Sequence, residues 1–139
     1  MKNILYIGLF LVTLNLTAQS ESIDWITDYK TAFKTAEQLD KPVLAFATNG
    51  QSSAELKLLE GELFGSETFQ SLKDKVVFLK LNTADDMYAM RMATHFTKSK
   101  TGPSVALVQS NQRPLGEPLN KINSGSISNF INVLKAEIQ

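Results

Sequence analysis

Residues 41–64 read KPVLAFATNGQSSAELKLLEGELF, and the order of apolar and polar residues in this stretch decides the fold. A Lys-Pro turn precedes residues 43–47, a continuous apolar run with the length of a strand buried on both faces of a sheet. A polar loop then leads to SSAE at residues 52–55, which matches a capping box with Ser52 as the N-cap of a helix. We therefore predict a turn, a buried strand, a loop and a helix whose inward-facing residues are Ala54, Leu58 and Leu59.

Upstream of this stretch, the sequence predicts a first helix that ends before Pro42. Apolar residues at helical spacing give this helix one buried face, formed by Tyr29, Ala32, Phe33, Ala36 and Leu39. Residues 22–26 fit a short edge strand. Trp25 could be exposed for binding, but an aromatic residue beside a helix more often packs against it, and we expect that here.

Downstream, helices and strands continue to alternate. Ser66 begins a short helical turn that contains Phe69 and Leu72, and residues 76–81 fit a second buried strand. Residues 87–96 fit a helix.

The last part of the chain fits a hairpin followed by a helix. Pro103 opens a strand over residues 104–108, whose hairpin partner lies around Leu115. Ser126 is the expected N-cap of a C-terminal helix with one apolar stripe, formed by Ile127, Phe130, Ile131, Leu134 and Ile138. Strands that alternate with helices predict an α/β fold with a central mixed β-sheet and helices on both of its faces.

The composition limits the classes of function. A chain of 139 residues with 43% hydrophobic residues fits one domain with a core of its own. Its formal net charge is zero, so nothing in the charge balance favours binding to nucleic acid or to an anionic membrane.

The first residues have the pattern of a secretory signal. Lys2 precedes an apolar run over residues 4–16, and small and polar residues follow. The run is too short for a spanning helix and lacks a stop-transfer flank. We predict a signal peptide over residues 1–18, a mature domain over residues 19–139, export to a periplasm or beyond, and no stable membrane insertion after cleavage.

The chain contains no cysteine. Exported proteins often use disulfides, so the stability of this one must depend on packing alone. The lack of sulfhydryl groups also removes every thiol mechanism and any lipid attachment through cysteine.

Three segments resemble the thioredoxin-like superfamily, and within it most closely the exported thiol:disulfide interchange branch. They are WITDYKTAFKTAEQLDKPVLAF at residues 25–46, ELFGSETFQSLKDKVVFLKLN at 62–82 and KTGPSVALVQSNQRPL at 100–115. The resemblance implies a thioredoxin-like fold in which Pro103 is the family's cis proline, beside the start of the active-site helix. Taken without the resemblance, Pro103 is a strand-initiating proline in trans.

The chain departs from this family at the site of its chemistry. Active members carry two cysteines separated by two residues where this chain reads QSSAEL at residues 51–56. Counting back from Phe64 places Ser53 and Leu56 at the cysteine positions, whereas counting forward from Phe46 places Ser52 and Glu55 there. In either alignment no mixed disulfide can form, which excludes dithiol oxidoreductase activity. No cofactor is expected.

The remaining surface of the family's site predicts a binding module. We expect a protein or peptide partner to lie between the loop of residues 49–54 and the loop before the third strand, because an extended segment can be held there by backbone hydrogen bonds without a thiol. The residues predicted to contact it are Gly50, Gln51, Ser53, Gly102 and Pro103.

Other chemistries have weaker signals. A serine at the helix start would need a base, and His95 is the only histidine. An acidic or phosphorylated small ligand could sit on the free amides of the same helix start, in competition with the capping hydroxyl. Three basic residues near Pro103 could form a patch but fit a solvated rim better: Lys98, Lys100 and Arg113.

A cluster of methionines and the histidine suggests an alternative function as a copper or small-ligand carrier. Thioether and imidazole groups suit cuprous copper, and the weak candidate ligands are Met87, Met90, Met92 and His95. On a helix, Met87 and Met90 share one side and Met92 and His95 another, so the four do not converge. Methionines at helical spacing are usually core filler.

Overall fold

A computed structural model describes residues 23–138 of the chain. A π-helical segment, Leu59–Phe64, directly continues the second α-helix, and we call it the π segment. The elements follow in the order α1 Tyr29–Leu39, β1 Val43–Thr48, α2 Ala54–Leu58, the π segment, α3 Glu67–Gln70, β2 Val77–Asn82, α4 Met87–Thr97, β3 Ser104–Val108 and α5 Ser124–Glu137.

The three strands form a mixed sheet in the order β2-β1-β3. β1 runs parallel to β2, with Val43 opposite Val77, and antiparallel to β3, with Ala45 opposite Ala106. All six residues of β1 are buried, as the apolar run predicted for a central strand.

Helices cover both faces of the sheet, because successive side chains of a strand point to opposite sides. Leu44 and Phe46 of β1 belong to a buried cluster with residues of the π segment, α3 and α5. Val43 and Ala45 belong to a second buried cluster with residues of α1 and α4. The α/β prediction of a mixed sheet between two helical layers is confirmed.

Trp25 packs on the face opposite to α1, so the prediction that it packs against this helix is wrong. Its ring centroid lies 5.5 Å from that of Phe46, 5.8 Å from that of Phe64 and 5.4 Å from that of Phe78. The neighbouring Ile26 packs instead against the cluster on the α1 side. The backbone is extended here, so the two side chains take opposite faces.

The apolar face predicted for α1 is shorter than expected. Ala32, Phe33 and Ala36 are buried, but Leu39 is 54% exposed. Leu39 is the last residue of the helix, and Asp40 then turns the chain towards β1 with a left-handed φ of 52°. The final turn of α1 therefore leaves Leu39 at the edge of the layer.

Both predicted helix caps are displaced. The N-cap of α2 is Ser53, not Ser52, and Ala54 is exposed instead of facing inward. The N-cap of α5 is Asn123, whose side chain accepts a hydrogen bond from the backbone N–H of Ser126 at 2.8 Å. Ser126 returns the interaction by accepting from the backbone N–H of Asn123 at 3.0 Å, so it completes the capping box from the third helical position.

Two predicted strands are reduced to isolated bridges. In the part of residues 22–26 that the structure describes, only Ile26 pairs with the sheet, opposite Leu79. The return of the hairpin contributes two bridges to β3, through Pro114 and Leu119, and no regular strand around Leu115. Prolines at 114 and 118 lack the N–H that a continuous ladder needs.

The predicted signal peptide lies outside the described residues. Within residues 23–138, no helix is long and apolar enough to cross a bilayer.

Candidate functional site

A groove of about 420 Å³ lies where three segments of the chain meet. The β1–α2 loop, the residues before β3 and the residues before α5 line it. We call it the Ser53–Pro103 groove, and its lining residues are Asn49, Gln51, Ser52, Ser53, Glu55, Thr101, Gly102, Pro103, Asn120, Lys121 and Ile122.

Two of the three walls of this groove were expected from the sequence. The β1–α2 loop and the Pro103 loop were predicted to lie side by side, and the structure brings them together. The third wall was not predicted: Asn120, Lys121 and Ile122 join the groove only because the chain returns past β3 after the hairpin. No local sequence signal marks these three residues as part of a site.

Hydrogen bonds between residues two apart in the sequence hold the shape of the β1–α2 loop. The hydroxyl of the buried Thr48 accepts from the backbone N–H of Gly50 at 3.1 Å, and the side chain of Asn49 accepts from that of Gln51 at 2.9 Å. Gly50 has a left-handed φ of 78°, which allows the chain to turn there. Gly50 itself does not line the groove, so its observed role is in the turn.

The two alternative alignments of the sequence analysis place four residues at cysteine positions, and these residues divide between the groove and the core. Ser52, Ser53 and Glu55 line the groove, whereas Leu56 packs against the buried cluster that contains Phe46. The hydroxyl of Ser53 accepts from the backbone N–H of Leu56 at 3.0 Å. Ser53 is therefore the N-cap of α2, and this bond stabilises the start of the helix.

The loop before β3 is fixed from two sides. The side-chain hydroxyl of Ser99 donates to the backbone carbonyl of Thr101 at 2.7 Å. The amide of Asn120 donates to the carbonyl of Thr97 at 3.0 Å, which links the third wall of the groove to the end of α4. Gly102 turns the chain into Pro103 with a φ of 77°.

The peptide bond before Pro103 is trans, because residues 23–138 contain no cis peptide bond. The cis isomer implied by the family resemblance is therefore not present. Trans is the lower-energy form of an X–Pro bond, and the left-handed Gly102 supplies the change of direction.

The groove is mainly polar, with one side chain of each charge. Glu55 and Lys121 line it together with amide and hydroxyl side chains. Lys98, Lys100 and Arg113 are exposed and do not line the groove, as expected for a solvated rim.

His95 is exposed on α4, where its ring packs against that of Phe96 at 5.3 Å. No histidine is among the residues that line the groove. The structure therefore does not bring His95 beside Ser52 or Ser53.

The candidate ligands on α4 differ in their burial. Met87 and Met90 are 69% and 44% exposed, so the prediction that methionines fill the core is wrong for these two. Met92 packs against the buried cluster on the α1 side. Residues 23–138 also contain no group of three or more His, Cys, Asp or Glu side chains that could hold a metal ion.

No protein-family model matches this chain, and no curated protein matches it. Solved structures do. One described as "DsbH Oxidoreductase" has a TM-score of 0.61 and 13% sequence identity, and the match covers 82% of this chain and 85% of that one. A disulphide isomerase from Xylella fastidiosa Temecula1 has a TM-score of 0.55 and 13% identity, over 82% of this chain and 99% of that one. The fold is thioredoxin-like.

Proposed function

We propose that this protein is an exported, redox-inactive member of the thioredoxin-like superfamily that binds an extended protein or peptide segment in the Ser53–Pro103 groove. The observation that carries the proposal is the convergence of Ser52, Ser53 and Pro103 on one groove of about 420 Å³.

Redox inactivity follows from the residues at the former cysteine positions. Dithiol exchange needs a thiolate as attacking group and a thiol as leaving group, and the chain has no cysteine. The relatives in fold include a disulphide isomerase, but that activity belongs to the relative. In this chain the proposed role of the surface is binding without electron transfer.

The π segment favours one of the two alignments of the cysteine positions. In this segment the N–H of Gly65 donates to the carbonyl of Glu60 at 3.1 Å, five residues earlier, so the turn holds one residue more than an α-turn. Counting back from Phe64 as if the helix were regular therefore assigns each cysteine position one residue too far towards the C-terminus. We place Ser52 and Glu55 at the cysteine positions, in agreement with the count forward from Phe46.

The polar lining fits a partner that is recognised through its main chain. Asn49, Gln51 and Asn120 present side-chain amides, and Thr101 and Gly102 lie just before the first residue of β3. Amide side chains can donate to and accept from a peptide backbone at once. Such contacts hold an extended segment with little dependence on its side chains.

Export is proposed from the N-terminal sequence. Amino-terminal sequencing of the protein recovered from the cell envelope or the medium tests it, with Gln19 as the expected first residue. Recovery of the intact amino terminus from the cytosol would contradict it.

Site-directed photo-crosslinking tests binding in the groove. A photoreactive residue in place of Gln51 is expected to capture a partner in cells, and Ser52→Trp is expected to abolish capture by filling the groove. Ser52→Trp leaves the capping hydroxyl of Ser53 in place. Ser128→Trp is the matched control, because Ser128 is exposed on α5 and does not line the groove. Equal capture by both tryptophan variants would contradict the proposal.

A further inference from the structure

Two tyrosines pack against each other on the surface formed by α1 and α4. The ring centroids of Tyr29 and Tyr88 are 5.6 Å apart, with the planes inclined by 66°. Tyr29 is the first residue of α1, and Tyr88 is the second residue of α4. The chain has three tyrosines, and the third, Tyr6, lies outside the described residues. The two tyrosines of the described part are therefore direct neighbours.

One ring of this pair is held in place. Tyr29 packs edge to face against Phe33 at 5.4 Å, and its hydroxyl accepts a hydrogen bond from the side-chain amide of Gln112 at 3.1 Å. A tilted contact with Phe96 at 6.5 Å adds to the packing. These contacts come from α1 itself, from α4 and from the turn after β3, so they fix the position of the Tyr29 ring beside Tyr88.

The other ring is accessible and has more freedom to move. Tyr88 is 49% exposed, so a dissolved oxidant can reach it and the ring can adjust against Tyr29. Desolvation is the main cause that raises the pKa of Tyr88 above its ordinary value. Charge repulsion by Tyr29 and a side-chain hydrogen bond with Tyr29 raise this pKa further. The hydroxyl therefore stays protonated at neutral pH.

The composition leaves a tyrosyl radical without a competing thiol. A cysteine in the same chain would reduce such a radical, or would itself provide the covalent link, but this sequence has none.

We propose that Tyr29 and Tyr88 form an oxidative modification site, at which a peroxidase-class one-electron oxidant acting with hydrogen peroxide joins the two rings as dityrosine and bridges α1 to α4. The proposal is independent of the Ser53–Pro103 groove, because neither tyrosine lines it.

The reaction balances without a further reactant. Each phenol loses one electron and one proton to give a tyrosyl radical. The two radicals form a carbon–carbon bond between ring positions ortho to the hydroxyls, and both rings then return to the phenol form. One hydrogen peroxide takes up the two electrons and two protons and leaves as two water molecules.

The bridge would stabilise the fold in the way that a disulfide does. It closes a long loop of chain between α1 and α4 and so restricts the unfolded state more than the folded one. We expect the melting temperature of the cross-linked monomer to rise by roughly 5–15 °C.

The experiment treats the full chain at low concentration with peroxidase and hydrogen peroxide and analyses the monomer. We expect dityrosine fluorescence, a loss of mass equal to two hydrogen atoms, and a cross-linked peptide pair that contains Tyr29 and Tyr88. Tyr29→Phe and Tyr88→Phe should each abolish the signal in the monomer, while Tyr6→Phe should keep it. Circular dichroism confirms that the variants fold.

Coupling of free N-acetyltyrosine in the same reaction shows that the oxidant is active. Under that condition, a monomer without dityrosine would overturn the proposal. A link found only between two chains, or one that persists after Tyr88→Phe, would also overturn it.

Discussion

The hydroxyl of Ser53 accepts a hydrogen bond from the backbone N–H of Leu56 at 3.0 Å, so two residues with the spacing of a redox cysteine pair form a helix cap. Leu56 also packs against the buried cluster on its side of the sheet. Two thiols at a helix start can be three residues apart. An N-cap side chain and the backbone N–H that donates to it have the same spacing.

The cap predicts different effects for the two adjacent serines. Ser53→Ala removes the acceptor for the Leu56 N–H and should lower the free energy of unfolding by about 1 kcal/mol. Ser52→Ala removes no hydrogen bond that holds the helix start, so its effect should stay within about 0.5 kcal/mol. Urea unfolding followed by circular dichroism measures both. Equal losses would show that Ser53 is not the residue that caps the helix.

The sequence predicts the central strand better than the helix starts. A strand buried on both faces requires a continuous apolar run, so residues 43–47 are unambiguous. Two consecutive serines before α2 can each serve as the N-cap, and only the three-dimensional path of the loop selects Ser53. The π segment has no comparable sequence signal, because backbone hydrogen bonds between residues five apart need no particular side chain.

The groove was predictable only where a local sequence pattern marks it. The loop after β1 and the proline before β3 carry turn and proline signals, and the family resemblance relates them to each other. Lys121 joins them through the return of the chain after the hairpin, which is a long-range consequence of the fold. Patterns within a single segment cannot predict such a contact.

The different burial of two leucines predicts losses of stability of different size. Leu44 is fully buried in β1, so Leu44→Ala should lower the free energy of unfolding by about 2–5 kcal/mol through lost packing and a residual cavity. Leu39→Ala is the matched control, because the side chain is 54% exposed, and it should cost less than about 1 kcal/mol. Chemical denaturation measures both variants. A cost for Leu39→Ala as large as that for Leu44→Ala would contradict the described end of α1.

Gly116 should not tolerate a side chain. Its φ is 69°, and a Cβ there would lie 2.5 Å from Cγ1 of Val133 on α5. Gly116→Ala should therefore lower the free energy of unfolding by about 1–3 kcal/mol. Gly61→Ala is the control, since a Cβ at that position meets no atom within 4 Å, and its stability should be unchanged or up to about 1 kcal/mol higher. Thermal unfolding tests whether Gly116→Ala lowers the stability while Gly61→Ala leaves it unchanged or raises it.

Asp28 should make part of the stability depend on pH. Its carboxylate accepts from the Thr31 hydroxyl at 2.5 Å and from the Thr31 backbone N–H at 2.9 Å, and these bonds hold the pKa of Asp28 below its ordinary value. A folded-state pKa below the unfolded one gives stability that is present above the unfolded value and is lost as the pH falls through the folded value. The melting temperature should fall more steeply below about pH 4 in the wild type than in Asp28→Asn. Asp24→Asn, outside the cap, should keep the wild-type profile, and parallel profiles for all three proteins would contradict the prediction.

Introducing cysteines tests which of the two alignments with the family's cysteine pair is correct. Ser52→Cys with Glu55→Cys places both thiols at positions that line the groove, so this variant should form an internal disulfide and reduce insulin at a measurable rate. Ser53→Cys with Leu56→Cys removes the cap hydroxyl and places one thiol against the buried cluster, where it is less accessible to a partner disulfide than at a position that lines the groove. This second variant should be less stable and much slower in the same assay. The wild-type chain should show no activity, because it has no sulfur to exchange. Faster reduction by the second pair would show that the extra residue of the π segment does not set the alignment, and that counting back from Phe64 identifies the cysteine positions.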